Sequence, residues 1–251
     1  MTSGSELLRG KNAVITGCNR GIGKAILEAF ALQGANIFAC ARKESAGFLK
    51  LIQGLSEKYS VSITPVYFDA ASIDEIKSAV KQIAATKQRV DILVNNAGVG
   101  YSALFQMSTL DKLKEVFDIN FTAPFVLTQY ITKLMVRQRS GSIINIASIA
   151  GIDGDCGKSV YGSSKAALIC MTKVIAGELG RSGIRANVIA PGLTDTEMIL
   201  CMPKEAIREK TESSNLGRIA KPSEVADAAV FLASDNASFI TGQVIRVDGG
   251  S

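Results

Sequence analysis

The chain has 251 residues, of which 47% are hydrophobic and 20% charged, with 23 glycines and only five prolines. This composition is typical of a folded globular protein and excludes a disordered or collagen-like chain. The chain has no histidine, which excludes Ser-His-Asp hydrolases, Cys-His pairs and nearly every zinc or non-haem iron site. Proton chemistry must therefore use Tyr, Lys, Cys or carboxylate side chains, and we expect no bound metal.

The net charge is +5, and basic residues are interspersed with acidic ones. We interpret this excess as steering toward an anionic ligand and expect no nucleic-acid partner. The five cysteines are odd in number, widely spaced and form no CxxC pair, which is typical of free thiols in a reducing compartment. Because the chain also lacks a signal-peptide pattern and any run of about 18 apolar residues, we expect a cytoplasmic protein without a membrane segment.

Short apolar runs typical of strands alternate with stretches of helical period along the chain. The predicted strands are residues 12–16, 35–40, 62–68, 91–94, 142–146, 185–189 and 243–247. The predicted helices are residues 21–33 and 44–58, one that opens near Ser72, and residues 109–137, 161–179 and 222–233. Strands that are apolar on both faces and separated by helices require a parallel sheet covered on both sides. We therefore predict an α/β fold, a doubly wound parallel sheet of about seven strands, in one domain over residues 1–251.

The least regular stretch of the chain is residues 193–215. It is a candidate substrate lid. The alternative is a short helical excursion that packs on the body of the fold.

The first strand runs into a glycine-rich turn, after which a helix begins. The turn reads Thr16-Gly17-Cys18-Asn19-Arg20-Gly21-Ile22-Gly23. Its glycines let the backbone approach a pyrophosphate, and the helix N-terminus offers unpaired N–H groups and a positive dipole end. A glycine-rich turn between the first strand and helix predicts a dinucleotide site. The alternative is a turn that serves packing only.

Two arginines indicate which dinucleotide binds. An NAD site carries an acid near the end of the second strand, whereas an NADP site carries arginine. Here Arg42 follows the second strand, and Arg20 lies in the glycine-rich turn. Two guanidinium groups favour a 2′-phosphate, so we expect NADP (NADPH) as the cofactor. NAD is the alternative cofactor if both arginine side chains are surface charges that contact only solvent.

Tyr161 and Lys165 are the candidate catalytic pair. They lie four residues apart at the start of a predicted helix and so share one face. A phenol with a pKa of about 10 is a poor acid or base at neutral pH, but a neighbouring ammonium lowers that pKa. Ser148 ends the preceding strand, at the edge where doubly wound sheets bind ligands. Its hydroxyl can hold a substrate carbonyl beside the tyrosine.

These features together resemble the short-chain dehydrogenase/reductase family of single-domain Rossmann-fold enzymes. The resemblance runs from about Arg9 to Gly250. Besides the glycine-rich turn and Ser148, Tyr161 and Lys165, it rests on four further motifs. These are Asp69 with Ala70 after strand three, Asn95-Asn96-Ala97-Gly98 after strand four, Asn120 in the long helix, and Pro191-Gly192 with Thr194 and Thr196.

The resemblance implies a role for each motif. Tyr161 would donate a proton to the carbonyl oxygen as hydride arrives from the nicotinamide, while Ser148 orients that carbonyl. Lys165 would hold the ribose hydroxyls and lower the tyrosine pKa, and Asn120 would position a water that links Lys165 to solvent. From its residue type alone, Asn120 is only a mediocre helix former. The other motif residues would contact the cofactor, from the adenine at Asp69 to the nicotinamide at Thr194 and Thr196.

Within the family the chain most resembles the 3-oxoacyl-[acyl-carrier-protein] reductases, through residues 217–225 and the ending Val247-Asp248-Gly249-Gly250. This implies NADPH-dependent reduction of a 3-oxoacyl thioester, on acyl carrier protein or coenzyme A, in fatty acid biosynthesis. Arg139 matches a carrier-docking position, but Ser182 stands at the other. The family also implies a homotetramer.

Two other functions stay open. One is an NAD(P)-dependent dehydrogenase of a sugar, polyol or other secondary alcohol. The other is a nucleotide-binding sensor without turnover. The charges of Asp153, Asp155 and Lys158 suit a polar substrate, or a solvated loop. The apolar lid residues Met198, Ile199, Leu200 and Met202 suit an acyl chain, or simple packing.

Overall fold

The computed structural model describes residues 6–251, except for the side chains of residues 200 and 201. The strands are β1 (Asn12–Thr16), β2 (Asn36–Ala41), β3 (Ile63–Tyr67), β4 (Ile92–Asn95), β5 (Gly141–Ile146), β6 (Ile184–Pro191) and β7 (Val244–Val247). The α-helices are α1 (Gly21–Leu32), α2 (Ala46–Tyr59), α3 (Ile73–Ala85), α4 (Leu110–Phe117), α5 (Ala123–Gln138), α6 (Ser159–Leu179), α7 (Lys204–Ser213) and α8 (Pro222–Ala233).

The strands form one sheet in the order β3-β2-β1-β4-β5-β6-β7, and every neighbouring pair is parallel. The chain winds outward from β1 to one edge and then returns to β4 to build the other half. The loops after β1 and β4 therefore diverge and leave a crevice at the carboxyl edge of the sheet. This topology confirms the predicted doubly wound α/β fold.

Strand β1 shows why the strands are apolar along their whole length. Ile15 packs in a core cluster with Phe30 of α1. Val14, its neighbour in sequence, packs in a second cluster with Ile76 of α3 and Ile131 of α5. Since successive residues of a strand point to opposite faces, both faces of the sheet are buried under helices.

Two predicted segments differ in detail. The helix predicted over residues 109–137 is split into α4 and α5 by a π-helical turn at Asp118–Thr122. The candidate lid over residues 193–215 contains a 3₁₀ helix at Glu197–Cys201 and α7, which buries none of its residues. The segment is therefore helical, and its role as a lid stays a prediction. Within residues 6–251, no helix has the length and apolar character needed to cross a bilayer.

Candidate active site

The glycine-rich turn brings the start of α1 against the end of β1. Gly17 and Gly21 have φ of 72° and 52°, a region that L side chains avoid. A Cβ at Gly23 would lie only 2.1 Å from the Gly17 carbonyl oxygen. The Arg20 side chain, at the N-cap of α1, makes no capping hydrogen bond. The first N–H groups of α1 therefore face the crevice without a side-chain acceptor, which suits a pyrophosphate.

The loop after β4 is tied to this turn. The Thr16 hydroxyl accepts hydrogen bonds from the backbone N–H groups of Asn96 and Ala97, both at 2.9 Å. The Asn96 side-chain amide donates to the Thr16 carbonyl at 2.9 Å and to the Gly17 carbonyl at 3.4 Å. The structure therefore brings the Asn96–Gly98 motif and the glycine-rich turn together as one wall of the crevice.

Cys18 lies behind the turn. Its thiol is fully buried and contacts the Ile15 carbonyl at 3.1 Å, while its backbone N–H donates to the Cys40 carbonyl at 3.0 Å. Burial raises the pKa of the Cys18 thiol well above its ordinary value. Both of its donors are thus engaged within the fold, whereas Asn19 beside it is exposed.

Each of the two predicted phosphate-binding arginines pairs with a carboxylate. Arg42 contacts Asp69 through Nη2 at 2.7 Å and Nε at 2.9 Å, where β2 and β3 end side by side. Arg20 contacts Glu197 of the lid segment at 2.8 Å. Both guanidinium side chains are about two-thirds exposed, at 71% and 67%. A 2′-phosphate at this edge would therefore compete with two carboxylates for the same cations.

The loop after β6 closes the crevice from the other side. The Thr194 hydroxyl donates to the Gly192 carbonyl at 3.1 Å, and Gly192 packs against the backbone of Asp248. Thr196 reaches the glycine-rich turn, since its methyl group lies 3.3 Å from the position of a Cβ at Gly21. The motif that begins at Pro191 therefore spans from the end of β6 to the phosphate turn.

Helix α6 and the end of β5 assemble the catalytic candidates. Tyr161 lies beside Ser148, whose hydroxyl accepts from the Ala150 backbone N–H at 3.2 Å. Lys165 is buried, its Nζ lies 5.9 Å from the centre of the Tyr161 ring, and it donates to the Ile146 carbonyl at 3.0 Å. The three residues that the sequence singled out thus share one pocket at the carboxyl edge of the sheet.

The pKa of Tyr161 differs from the sequence prediction. A neighbouring ammonium was expected to lower this pKa, but burial raises it, and the Ser148 hydroxyl beside the tyrosine offsets only part of that rise. Burial also lowers the pKa of Lys165 from its ordinary 10.5 to about 8. Both shifts favour the neutral form, because a low-dielectric site penalises charge. Tyr161 is therefore a protonated phenol at neutral pH.

Asn120 occupies the π-helical turn between α4 and α5. Its carboxamide accepts from the Val99 backbone N–H at 2.8 Å and donates to the Val99 carbonyl at 3.0 Å. It also donates to the Ser164 hydroxyl at 3.1 Å. A Cβ at Gly98 would lie 3.1 Å from Asn120 Oδ1 and 3.4 Å from Lys165 Nζ. These two polar groups thus face each other across a gap that only a glycine leaves open.

Sequence reasoning missed Ser164. Its hydroxyl accepts from Asn120 and donates to the Tyr161 carbonyl at 2.7 Å, so it couples the π-helical turn to the first turn of α6. Its position between Tyr161 and Lys165 was the only signal in the sequence. Sequence reasoning also missed the pairs that hold the loop before α6, Asp153 with Arg246 at 2.8 Å and Asp155 with Lys210 at 2.7 Å.

The family model described as enoyl-(acyl carrier protein) reductase matches residues 17–251. The chain belongs to the short-chain dehydrogenase/reductase family. It is 39% identical to the 3-oxoacyl-[acyl-carrier-protein] reductase FabG of Thermotoga maritima, over 97% of this chain and 98% of that protein. It is 35% identical to a 3α-hydroxysteroid dehydrogenase of Mediterraneibacter gnavus, over 98% of both chains. It is similar also to a solved structure from Beutenbergia cavernae, provisionally assigned as an NAD(P)-dependent gluconate 5-dehydrogenase with bound NADP, at a TM-score of 0.92, 35% identity and 98% coverage of both chains.

As a short-chain dehydrogenase/reductase, the chain is an oxidoreductase of a family that binds NAD(P). Its own residues fit that cofactor. The uncapped N-terminus of α1 and the glycines beside it can hold the pyrophosphate. Arg42 and Asp69 lie at the edge where the family places the adenosine end.

Proposed function

We propose that the chain is an NADPH-dependent carbonyl reductase that converts 3-oxoacyl thioesters of acyl carrier protein or coenzyme A to the 3-hydroxyacyl form. The observation that carries this proposal is the placement of Tyr161 beside Ser148 and the buried Lys165 at the carboxyl edge of the sheet. A phenol that keeps its proton at neutral pH is prepared to donate it, which is what reduction of a ketone requires. The identity to FabG supports the thioester as substrate.

Ser148 and Tyr161 would hold the substrate carbonyl between two hydroxyl groups. As negative charge develops on the carbonyl oxygen, the Tyr161 hydroxyl transfers its proton to it, and Ser148 stabilises the phenolate left behind. Bound NADPH supplies the hydride that the carbonyl carbon receives. The half-buried site favours this polar step because its hydroxyl groups are already oriented.

Lys165 and Asn120 would return a proton to the tyrosine. Lys165 lies beside the Tyr161 ring and, with a pKa of about 8, is charged below that pH. The gap at Gly98 separates it from Asn120 Oδ1, and a water held there would connect Lys165 to the solvent side. Lys165 also lies where it can hold the ribose hydroxyls of the cofactor.

The preference for NADPH would come from Arg42 and Arg20, which can leave their carboxylate partners for a 2′-phosphate. Arginine binds phosphate bidentately, and both side chains are exposed enough to turn. The NADP in the Beutenbergia cavernae structure supports this assignment.

An acyl carrier protein would reach the site from a second copy of the chain. Arg139 is the C-cap residue of α5 and lies two residues before β5, so it lies at the amino edge of the sheet, away from Tyr161 of the same chain. A carrier docked there would serve the pocket of a neighbour in the homotetramer that we propose. Leu104, Phe105, Met107 and Leu110 are each more than 60% exposed, which supplies apolar surface for such an assembly.

A second candidate function is oxidation of a sugar acid, polyol or sterol alcohol. The similarity to the hydroxysteroid dehydrogenase and to the Beutenbergia cavernae structure favours it. The reverse reaction would need the Tyr161 phenolate, so it would become prominent only at high pH. A sensor without turnover is the third possibility.

The test is NADPH oxidation with acetoacetyl-coenzyme A as the ketone, followed by absorbance. We expect turnover by the wild type and a loss of about 10²–10⁴-fold in Tyr161→Phe, the usual contribution of a general acid. Tyr130→Phe is the matched control, because Tyr130 lies on α5, where Lys133 stacks on its ring. Equal rates in wild type and Tyr161→Phe would reject Tyr161 as the acid. Tight NADPH binding without turnover of thioesters, sugars or sterols would favour the sensor.

A further inference from the structure

Lys158 lies in the catalytic pocket beside Tyr161. It is the N-cap residue of α6, and its Nζ lies 5.9 Å from the centre of the Tyr161 ring. Its ammonium group also donates a hydrogen bond to Ser102, in the loop that follows β4. The side chain therefore bridges two loops at the carboxyl edge of the sheet, beside the Tyr161 ring.

No carboxylate within residues 6–251 forms an ion pair with Lys158. The two acids of its own loop are held by cations from elsewhere, Asp155 by Lys210 of α7 and Asp153 by Arg246 of β7. Lys158 is half-buried, and this burial lowers its pKa, with the charge of Lys210 acting in the same direction and that of Asp155 opposing it. The pocket thus holds a partly desolvated cation that, among residues 6–251, has only the neutral Ser102 hydroxyl as its hydrogen-bond acceptor.

We propose that Lys158 binds an anionic or strongly polar oxygen of the substrate, so that the enzyme favours 3-oxo acids whose C1 group is a carboxylate over their neutral esters. A 3-oxo acid carries C1 two bonds from the ketone carbon, which suits a cation close to the residue that protonates the ketone. In a thioester substrate the same ammonium would donate to the C1 carbonyl. The inference rests on the proposed function, since it places the ketone at Tyr161.

The test measures binding without turnover. Acetoacetate and methyl acetoacetate are titrated calorimetrically into the enzyme saturated with NADP⁺, which cannot reduce a ketone. In Lys158→Met we expect acetoacetate to bind about tenfold more weakly, the typical loss for a charge-assisted hydrogen bond. The neutral ester, whose C1 carbonyl accepts from the same ammonium but carries no charge, should lose less affinity than acetoacetate does. Lys158→Arg should restore most of the acetoacetate affinity because it retains the positive charge.

Two further variants separate the charge from structural effects. Lys158→Gln keeps a donor for Ser102 while removing the charge, so it replaces Lys158→Met if that variant fails to fold. Lys173→Met removes a charge from an exposed position of the same helix and should leave both affinities unchanged. The NADP⁺ affinity of every variant, measured in a separate titration of the cofactor into the free enzyme, reports whether the site is intact.

The outcomes distinguish this inference from the proposed function. If acetoacetate binds in a Lys158-dependent way but no 3-oxo compound is reduced by NADPH, the inference stands and the proposed function fails. If wild type binds no acetoacetate, or binds it as tightly as the Lys158→Gln variant does, the inference is overturned whether or not the thioester is reduced.

Discussion

Gly23→Ala tests the contact between the glycine-rich turn and α1. The added Cβ would lie 2.1 Å from the Gly17 carbonyl oxygen and 2.4 Å from the Asn96 amide nitrogen, so about 1.3 Å of separation is needed to reach an ordinary contact of 3.4 Å. Gly23 does not have a positive φ, so the effect comes from contact rather than from backbone strain. Both neighbours are held in place, Gly17 in the turn and Asn96 by two hydrogen bonds to it.

We expect this overpacking to lower the free energy of unfolding by about 1–3 kcal/mol. It should also displace the N-terminus of α1 from the pyrophosphate. Loss of one charge-assisted hydrogen bond costs about 1.5–3 kcal/mol, so the Kd for NADPH should rise about tenfold or more. The measurements are urea denaturation followed by circular dichroism, and titration of NADPH fluorescence.

The matched control is Gly54→Ala, the same substitution at an exposed position of α2 where a Cβ meets no atom within 4 Å. It should leave NADPH affinity unchanged and stabilise the protein by about 0.5–1 kcal/mol through helix propensity. If Gly23→Ala binds NADPH with an affinity within twofold of that of the wild type, α1 does not approach the phosphates closely.

Three further predictions concern the pocket and its rim. Gly98→Ala should lower the rate of ketone reduction more than it weakens NADPH binding, because the added methyl group fills the gap between Asn120 and Lys165. An unchanged rate would show that protons do not pass through this gap. The free energy of unfolding should rise with pH between about 8 and 10.5, since the folded protein releases the Lys165 proton at a lower pH than the unfolded chain does. Denaturation of Lys165→Met should show a smaller rise. The same pH dependence in wild type and Lys165→Met would show that Lys165 does not cause the rise. Glu197→Gln should free Arg20 and tighten NADPH binding about two- to fivefold, because an exposed ion pair contributes only about 0–1 kcal/mol. The affinity for NADH should stay unchanged in Glu197→Gln. An equal change in the affinities for NADPH and NADH would show that Arg20 does not bind the 2′-phosphate.

The strands and most helices could be predicted because their signals are local. Strand β1 and helix α8 match the predicted residues 12–16 and 222–233. The first is an apolar run that ends at a glycine-rich turn, and the second begins with a proline at its first helical position. The π-helical turn around Asn120 could not be predicted, because one widened turn leaves the apolar periodicity of a long helix almost unchanged.

The candidate catalytic residues could also be found from spacing. Tyr161 and Lys165 share a helix face by their separation of four, and Ser148 marks the end of a strand. Their electrostatics could not be found in this way. The pKa of Tyr161 rises because the fold withdraws it from water, and a sequence pattern does not report how deeply a side chain will be buried.

Sequence alone therefore determined the parallel α/β architecture, the place of the glycine-rich turn and the choice of candidate catalytic residues. Only the tertiary structure decided which charges pair and which do not. Arg20 forms an ion pair with Glu197, which lies 177 residues further along the chain. Asp155 and Asp153, in the loop of Lys158, form ion pairs with Lys210 of α7 and Arg246 of β7. Apolar periodicity and turn chemistry act between near neighbours in sequence, whereas desolvation and ion pairing depend on segments that only folding brings together.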